Sequence, residues 1–318
     1  MTTTSSDKYF RIRLSTIRGH KPSPFDIYVF IDGRYITYLR AGDRLDDQKI
    51  DTLNFKDTGN SFFVLDSEKQ TYRDYVKAEM NSDELNPFEK AKILRESSIA
   101  ILEDLFETPD VGVALENSKP IVNDLIQFMG EAPEAVGDLI SLSGHDFYTY
   151  NHSFDVSIYS LGLAQVLGFT KNDLVEMGQG SLFHDIGKRN VSLDILCKKG
   201  PLDEHEWAQM KMHPQYGLVI LNEHAIASDA IKAACFEHHE SWAGGGYPQG
   251  ISGPEIHPFA RIVAITDTYD AMTTQRSYNV PLKPHDALAM MRDKLAGRYD
   301  PEMLKAMYSV LFKLKSAA

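Results

Sequence analysis

Alternation with a period of two dominates the start of the chain. Over residues 9–17, aromatic and branched side chains alternate with charged ones, which predicts a strand with one covered face. A stronger signal lies at 25–39. Ile27-Tyr28-Val29-Phe30-Ile31 and Arg34-Tyr35-Ile36-Thr37-Tyr38-Leu39 flank Asp32-Gly33. Asp-Gly between two such runs predicts a tight hairpin, because both central positions of the turn need positive φ. A further strand is expected at 61–65. No metal-ligand cluster or phosphate loop is visible in these first eighty residues.

From residue 86 the period becomes helical. Pro87 suits a first turn, Ile93, Ile99, Ile101, Leu102, Leu105 and Phe106 recur at helical spacing, and Pro109 ends the run. A second helix is expected over 120–129, with Gly130 as its stop signal. Further on, Asn151 is expected to cap a helix that ends at Gly168. Thr170 and Asp173 start another, which runs through Leu182 and Phe183 and stops near Gly187. Helices are also expected from His213-Pro214, over 227–238, over 261–272 and over 287–295. The pattern is that of an α+β chain: a β-rich N-terminal domain over 1–85, a helical connector over 86–145 and an all-helical bundle over 146–318.

Composition narrows the function classes. The chain has 318 residues, 43% hydrophobic and 25% charged, enough for about two domains with real cores. Lys and Arg number 33 against 45 Asp and Glu, a net charge of −12. That argues against broad nucleic-acid binding, although bound metals can still invert the local field for a small anion. No apolar stretch approaches the ~18 residues of a membrane span, and the first residues show no secretory signal. Cys197 and Cys235 make neither a disulfide framework nor a cysteine metal site, which fits a cytoplasmic protein. The β-rich domain is available as a regulatory input or a surface for a protein partner.

Histidine changes the picture, because nine of the eleven lie between His145 and His257. A single helical histidine is more often structural, but these are clustered. His184-Asp185 ends one expected helix and His238-His239 ends another. His152 and His213 begin two more, and Asp267 lies in a fifth. Imidazole and carboxylate suit borderline divalent metals, and a bundle can point them at a shared centre. Neighbouring residues project about 100° apart on a helix, so His184 can hold one ion while the two oxygens of Asp185 bridge a pair.

Longer motifs extend this cluster. They are Phe183-His-Asp-Ile-Gly-Lys188, residues 196–202 (LCKKGPL), Glu206-Trp207, His213-Pro214 with Gly217, residues 238–248 (HHESWAGGGYP), residues 260–272 (ARIVAITDTYDAM) and Tyr299-Asp-Pro-Glu302. In order and spacing, residues 150–305 resemble the HD superfamily of metal-dependent phosphohydrolases, specifically its HD-GYP branch. The first 145 residues show no such resemblance. The resemblance implies hydrolysis of the bacterial second messenger cyclic di-GMP to pGpG or GMP. It implies that His152, His184, Asp185 and Asp267 hold one metal, and that Asp185 bridges to a second held by His213, His238 and His239. The two ions, iron or manganese in this family, share a water or hydroxide.

Further roles follow from the same resemblance. Lys188, one turn beyond His184 if the helix continues, presents its ammonium to a phosphate; the alternative is a cation closing a helix C-terminus. In the Gly244–Pro248 turn, Gly246 permits close backbone approach to the ligand and Tyr247 offers a ring and a hydroxyl. Arg276 matches a phosphate-binding arginine, or is a solvated surface charge. Trp242 is a core residue or a stacking platform. Glu240 and Asp270 are candidates to orient the histidines, with a helix-surface role as the alternative for Asp270.

The chain departs from the family in places. Tyr148 stands where some members carry a glutamate that recruits a third metal, so two ions are expected. Ser277 replaces a proline, Asn279 replaces a second basic group and Ala243 replaces an aspartate. Losing one charged phosphate contact weakens binding by roughly 1.5–3 kcal/mol. The leading reading is a cyclic di-GMP phosphodiesterase with a thinned substrate clamp. The alternatives are a binding module with little or no turnover, a phosphohydrolase of another nucleotide, and oxidative di-iron chemistry.

Overall fold

The computed structural model describes residues 8–45, 62–142, 149–225, 227–274 and 280–315. The chain divides into two compact units, Met1–Glu107 and Thr108–Ala318. The segment 86–145, read from sequence as a connector, is shared between them.

The first unit holds an antiparallel sheet of β1 (Tyr9–Ile12), β2 (Ile27–Ile31), β3 (Arg34–Leu39) and β4 (Phe62–Leu65), in the order β1-β4-β2-β3. The hairpin is as expected: Asp32 and Gly33 have φ of 48° and 76°, and Ile31 pairs with Arg34. Phe10, Ile12, Ile27, Val29, Phe62 and Val64 share one core with Tyr72. The strand expected over 9–17 ends early, at Ile12. Leu14–Thr16 instead forms a 3-10 turn, in which the Thr16 hydroxyl donates to the Arg13 carbonyl at 2.7 Å. This local bond offers the backbone an alternative to the ladder. Helix α1 (Lys69–Met80) was not legible, since its buried residues are only Tyr72 and Glu79. Helix α2 (Pro87–Glu107) starts at the expected proline and buries Ile93, Leu94, Ile99, Leu102 and Leu105.

The second unit is helical: α3 (Val111–Glu131), α4 (Val136–Ser141), α5 (Thr149–Val166), α6 (Lys171–Leu182), α7 (Leu193–Leu196), α8 (Glu204–Met210), α9 (His213–Asn222), α10 (Asp229–Glu237), α11 (Pro258–Thr273), α12 (Pro284–Asp293) and α13 (Pro301–Lys315). Helix α3 starts at Val111, not at Pro120. The Asp110 carboxylate caps it by accepting from Val113 N, and the proline sits inside. Its apolar stripe simply continues across the proline through Leu115, Val122, Leu125 and Phe128. Asn151 lies within α5 rather than capping it. Helix α6 has the expected Thr170–Asp173 capping box but ends at Leu182, short of Gly187. A 3-10 turn follows at Ile186–Asn190.

Packing brings these ends together. Helix α5 lies against α6 and α11, and α6 also against α3 and α10. Gln179 donates to the Leu115 carbonyl at 2.7 Å and to Ser118 Oγ at 3.0 Å, and Gly178 leaves room for Val122. Gly187 is forced by contact: a Cβ there would lie 1.9 Å from the His213 carbonyl oxygen. The 3-10 turn therefore sits directly on the start of α9. Among the described residues, no helix is long and apolar enough to cross a membrane.

These contacts predict where the second unit can be cut. A chain starting at Thr108 should remain helical and melt cooperatively. One starting at residue 140 loses α3 and with it the burial of Leu115, Val122 and Leu125, each worth roughly 1.5–3 kcal/mol. It should melt markedly lower by circular dichroism. Equal melting temperatures would contradict the role given to α3.

Candidate metal centre

The sequence-predicted ligands come from α5, α9 and α11 and from the turns that follow α6 and α10, and they meet around Asp185. His184, His213, His238 and His239 sit at helix boundaries, and one kind of interaction holds the first three. The last carbonyls of a helix lack intrahelical donors. His184 Nδ1 lies 2.7 Å from the Ser181 carbonyl at the end of α6. His238 Nδ1 lies 2.8 Å from the Cys235 carbonyl at the end of α10, and His213 Nδ1 lies 2.7 Å from the Met210 carbonyl at the end of α8. Each contact is with the residue three positions back. A carbonyl only accepts, so each Nδ1 carries a proton, and in the neutral ring Nε2 then keeps its lone pair. These carbonyls escaped sequence reasoning; their signal was a histidine just past a helix's last residue, at Leu182, Glu237 or Met210.

The Nε2 atoms converge on the Asp185 carboxylate. His184 Nε2 is 3.3 Å and His152 Nε2 3.9 Å from Oδ2. His213 Nε2 is 3.3 Å and His238 Nε2 3.9 Å from Oδ1. Each carboxylate oxygen thus faces its own pair of imidazoles. Donor atoms of His152, His184 and Asp185 lie within 4.8 Å of one another, and so do those of His213, His238 and His239. Asp267 Oδ1 joins the first group, 3.2 Å from His152 Nε2. His184 Nε2 is buried without a hydrogen-bond partner. A buried polar nitrogen is costly unless a hydrogen-bond partner or a cation meets it, and a donor set of imidazoles and carboxylates fits divalent metal.

Charge supports the same fit. Burial opposes ionisation of Asp185, yet Lys188 and the surrounding imidazoles hold its carboxyl well below the usual range. Burial likewise opposes Asp267, which His152 keeps ionised. Burial pushes His213 and His238 down and His239 to about 3, leaving them neutral as metal ligation requires. His152 runs the other way: burial lowers it, but Asp267 and Asp270 raise it to about 10.

The surrounding residues correct several expectations. Lys188 is not on a continued helix but in the 3-10 turn, with Nζ 2.5 Å from Asp185 Oδ2. Asp270 is not a helix-surface residue; it is buried, and its Oδ2 lies 2.7 Å from His152 Nδ1. Among the described residues, Glu240 holds backbone rather than a histidine. Its buried carboxylate accepts from the backbone N–H of Gln249 at 2.6 Å and of Gly250 at 3.1 Å, and so staples the glycine-rich loop. Gly246 is demanded by that loop itself: a Cβ would lie 2.4 Å from Ser241 N and 2.5 Å from Glu240 Cα. Tyr247 stacks on His239, with ring centroids 4.7 Å apart. Trp242 is half-buried, with the Arg261 guanidinium 5.2 Å from its ring centroid, so it is not a core residue. Tyr148, Arg276, Ser277 and Asn279 lie outside the described residues.

The model of the HD domain family matches residues 134–303. The chain belongs to this family of helical metal-site domains, in its HD-GYP branch. It is 31% identical to a cyclic di-GMP phosphodiesterase of Pseudomonas aeruginosa over 218 residues, 68% of this chain and 52% of that protein. It is 36% identical to 3'3'-cGAMP-specific phosphodiesterase 3 of Vibrio cholerae over 164 residues, 52% of this chain and 35% of that one. The chain thus spans about half or less of these relatives' lengths. Its fold resembles that of Bd1817, an HDG"Y"P protein from Bdellovibrio bacteriovorus, with a TM-score of 0.75 at 23% identity over 96% of this chain and 100% of that one.

The raised His152 gives a pH dependence with a definite sign. Below about 10 the metal-free ring holds a proton that an incoming ion must displace. Metal affinity should therefore rise with pH across roughly pH 6–9, and binding should release protons. Calorimetry in buffers of different ionisation enthalpy measures that release. Buffer-independent heats and a flat affinity would contradict this protonation state.

Proposed function

We propose that residues 146–318 form a metal-dependent phosphodiesterase domain that hydrolyses cyclic di-GMP to pGpG or GMP. The observation that carries this reading is Asp185, whose two oxygens face separate imidazole pairs. In this reading His152, His184, Asp185 and Asp267 hold one divalent ion, and Asp185, His213, His238 and His239 hold a second, with iron or manganese as the metals. Such a pair supplies Lewis acidity, which acidifies water and neutralises a phosphodiester.

The chain's own groups do the rest. Water attacking in line on phosphorus displaces the 3′-oxygen, which takes up a proton and leaves as a hydroxyl, and negative charge gathers on the leaving and phosphate oxygens on the way. Lys188, anchored beside Asp185, is placed to contribute a cation there. Tyr247, stacked on His239, is assigned a contact with the nucleotide, and the Glu240 staple keeps its loop in place. Arg276 is assigned a phosphate contact. Both groups of metal-holding side chains among the described residues lie in the second unit. The N-terminal unit is assigned to regulatory input or to a protein partner. A messenger nucleotide as substrate places the domain in the cytoplasm.

The names of three Vibrio cholerae relatives favour one second reading, 3'3'-cGAMP as substrate. Chromatography of products from both nucleotides, with Mn²⁺- or Fe²⁺-loaded protein, separates the two. The expected result is linear product from cyclic di-GMP that disappears when metal is stripped. Binding without product would instead make the chain a binding module. Lys188→Met should retain metal while lowering kcat by about 10–100-fold, the scale of a charge-assisted contact made in the transition state. An unchanged kcat would remove Lys188 from the reaction.

A further inference from the structure

His184, His213 and His238 are each aimed by a backbone carbonyl at a helix end, an anchor that no side-chain substitution removes. His152 is aimed differently. Its Nδ1 rests on a side chain from across the bundle, Asp270 Oδ2 on α11, at 2.7 Å. That carboxylate is itself held. The Thr274 hydroxyl donates to Asp270 Oδ1 at 2.8 Å, and Thr274 N donates to the Asp270 carbonyl at 2.9 Å. Thr274 is the residue that closes α11, with extended backbone at φ −93° and ψ 139°.

We infer that Asp270 and Thr274 are positioning residues for one of the two metal sites: the Thr274 hydroxyl fixes the Asp270 carboxylate, which fixes the His152 ring. This rests on the metal reading above. The aim of the ring matters because His152 Nε2 stands 3.2 Å from Asp267 Oδ1 and 3.9 Å from Asp185 Oδ2. A small rotation of the Asp270 carboxylate carries Nε2 away from that meeting point. The geometry makes the effect one-sided, because His213 and His238 rest on their own backbone anchors, the Met210 and Cys235 carbonyls. Carboxylates and other groups that hold a ligand histidine from behind typically contribute 10–100-fold in metal affinity.

The test is Mn²⁺ titration of the full chain against a competing fluorescent chelator, which reads two affinities without any turnover. Thr274→Val, nearly isosteric, should weaken one ion about 10-fold and leave the other unchanged. Thr274→Ser keeps the hydroxyl and should restore wild-type affinity. Asp270→Asn should weaken the same ion. A separate melting curve establishes that each variant is folded. The proposal is overturned if Thr274→Val leaves both affinities unchanged, if both ions weaken equally, or if Thr274→Ser fails to rescue. A wild-type chain that binds no Mn²⁺ would overturn the metal reading and this inference with it. Two normal affinities in wild type and in every variant would overturn this inference alone.

Discussion

A buried carboxylate surrounded by imidazole nitrogens is the constraint on which the second unit depends. Asp185 is 4% exposed and ionised. Removing such a charge from water costs several kcal/mol unless cations and hydrogen-bond donors meet it. Lys188 meets one oxygen, and imidazoles approach both. The neutral histidines, however, bring lone pairs rather than protons toward the centre. Asp267 and Asp270 add further negative charge next to His152. The arrangement is short of positive charge, which divalent ions held by the two ligand groups would balance. Backbone packing serves the same end, since Gly187 lets the turn carrying Lys188 rest on the first residue of α9 and so holds His213 opposite Asp185.

Helix ends supply the second ordering principle. In most proteins the last carbonyls of a helix turn to water or to a glycine-closed cap. Here three of them take an imidazole N–H instead. One bond then does two jobs: it satisfies a backbone acceptor and it selects the tautomer that a metal needs. This accounts for His184 and His238 falling just past helix ends and for His213 opening α9 just past the end of α8. It also separates those ligands from His152, whose orientation depends on side chains.

Much of this was legible in the sequence, for identifiable reasons. Asp32-Gly33 set the hairpin because few other dipeptides accept positive φ twice, and Thr170 with Asp173 set the start of α6. The candidate ligands were legible as a group because they matched a long motif in order and spacing; composition alone would have left them as scattered core residues. Other features were hidden because tertiary contacts decided them. Apolar residues run on through Phe183 and Ile186, so the end of α6 at Leu182 left no mark in the pattern. Pro120 looked like a first-turn proline, yet α3 gains more by continuing its buried stripe than the proline costs. Glu240 and Asp270 are both acidic neighbours of ligand residues, and only the structure separates the one that staples a loop from the one that holds a ring.

The central claim is that Asp185 joins two metal positions into one centre, and magnetic coupling tests it most directly. Electron paramagnetic resonance of the full chain saturated with Mn²⁺ should show the broadened, multiline, temperature-dependent spectrum of an exchange-coupled pair, with less intensity than the same number of free ions. Two additive six-line signals at full loading, each that of an isolated ion, would contradict the account.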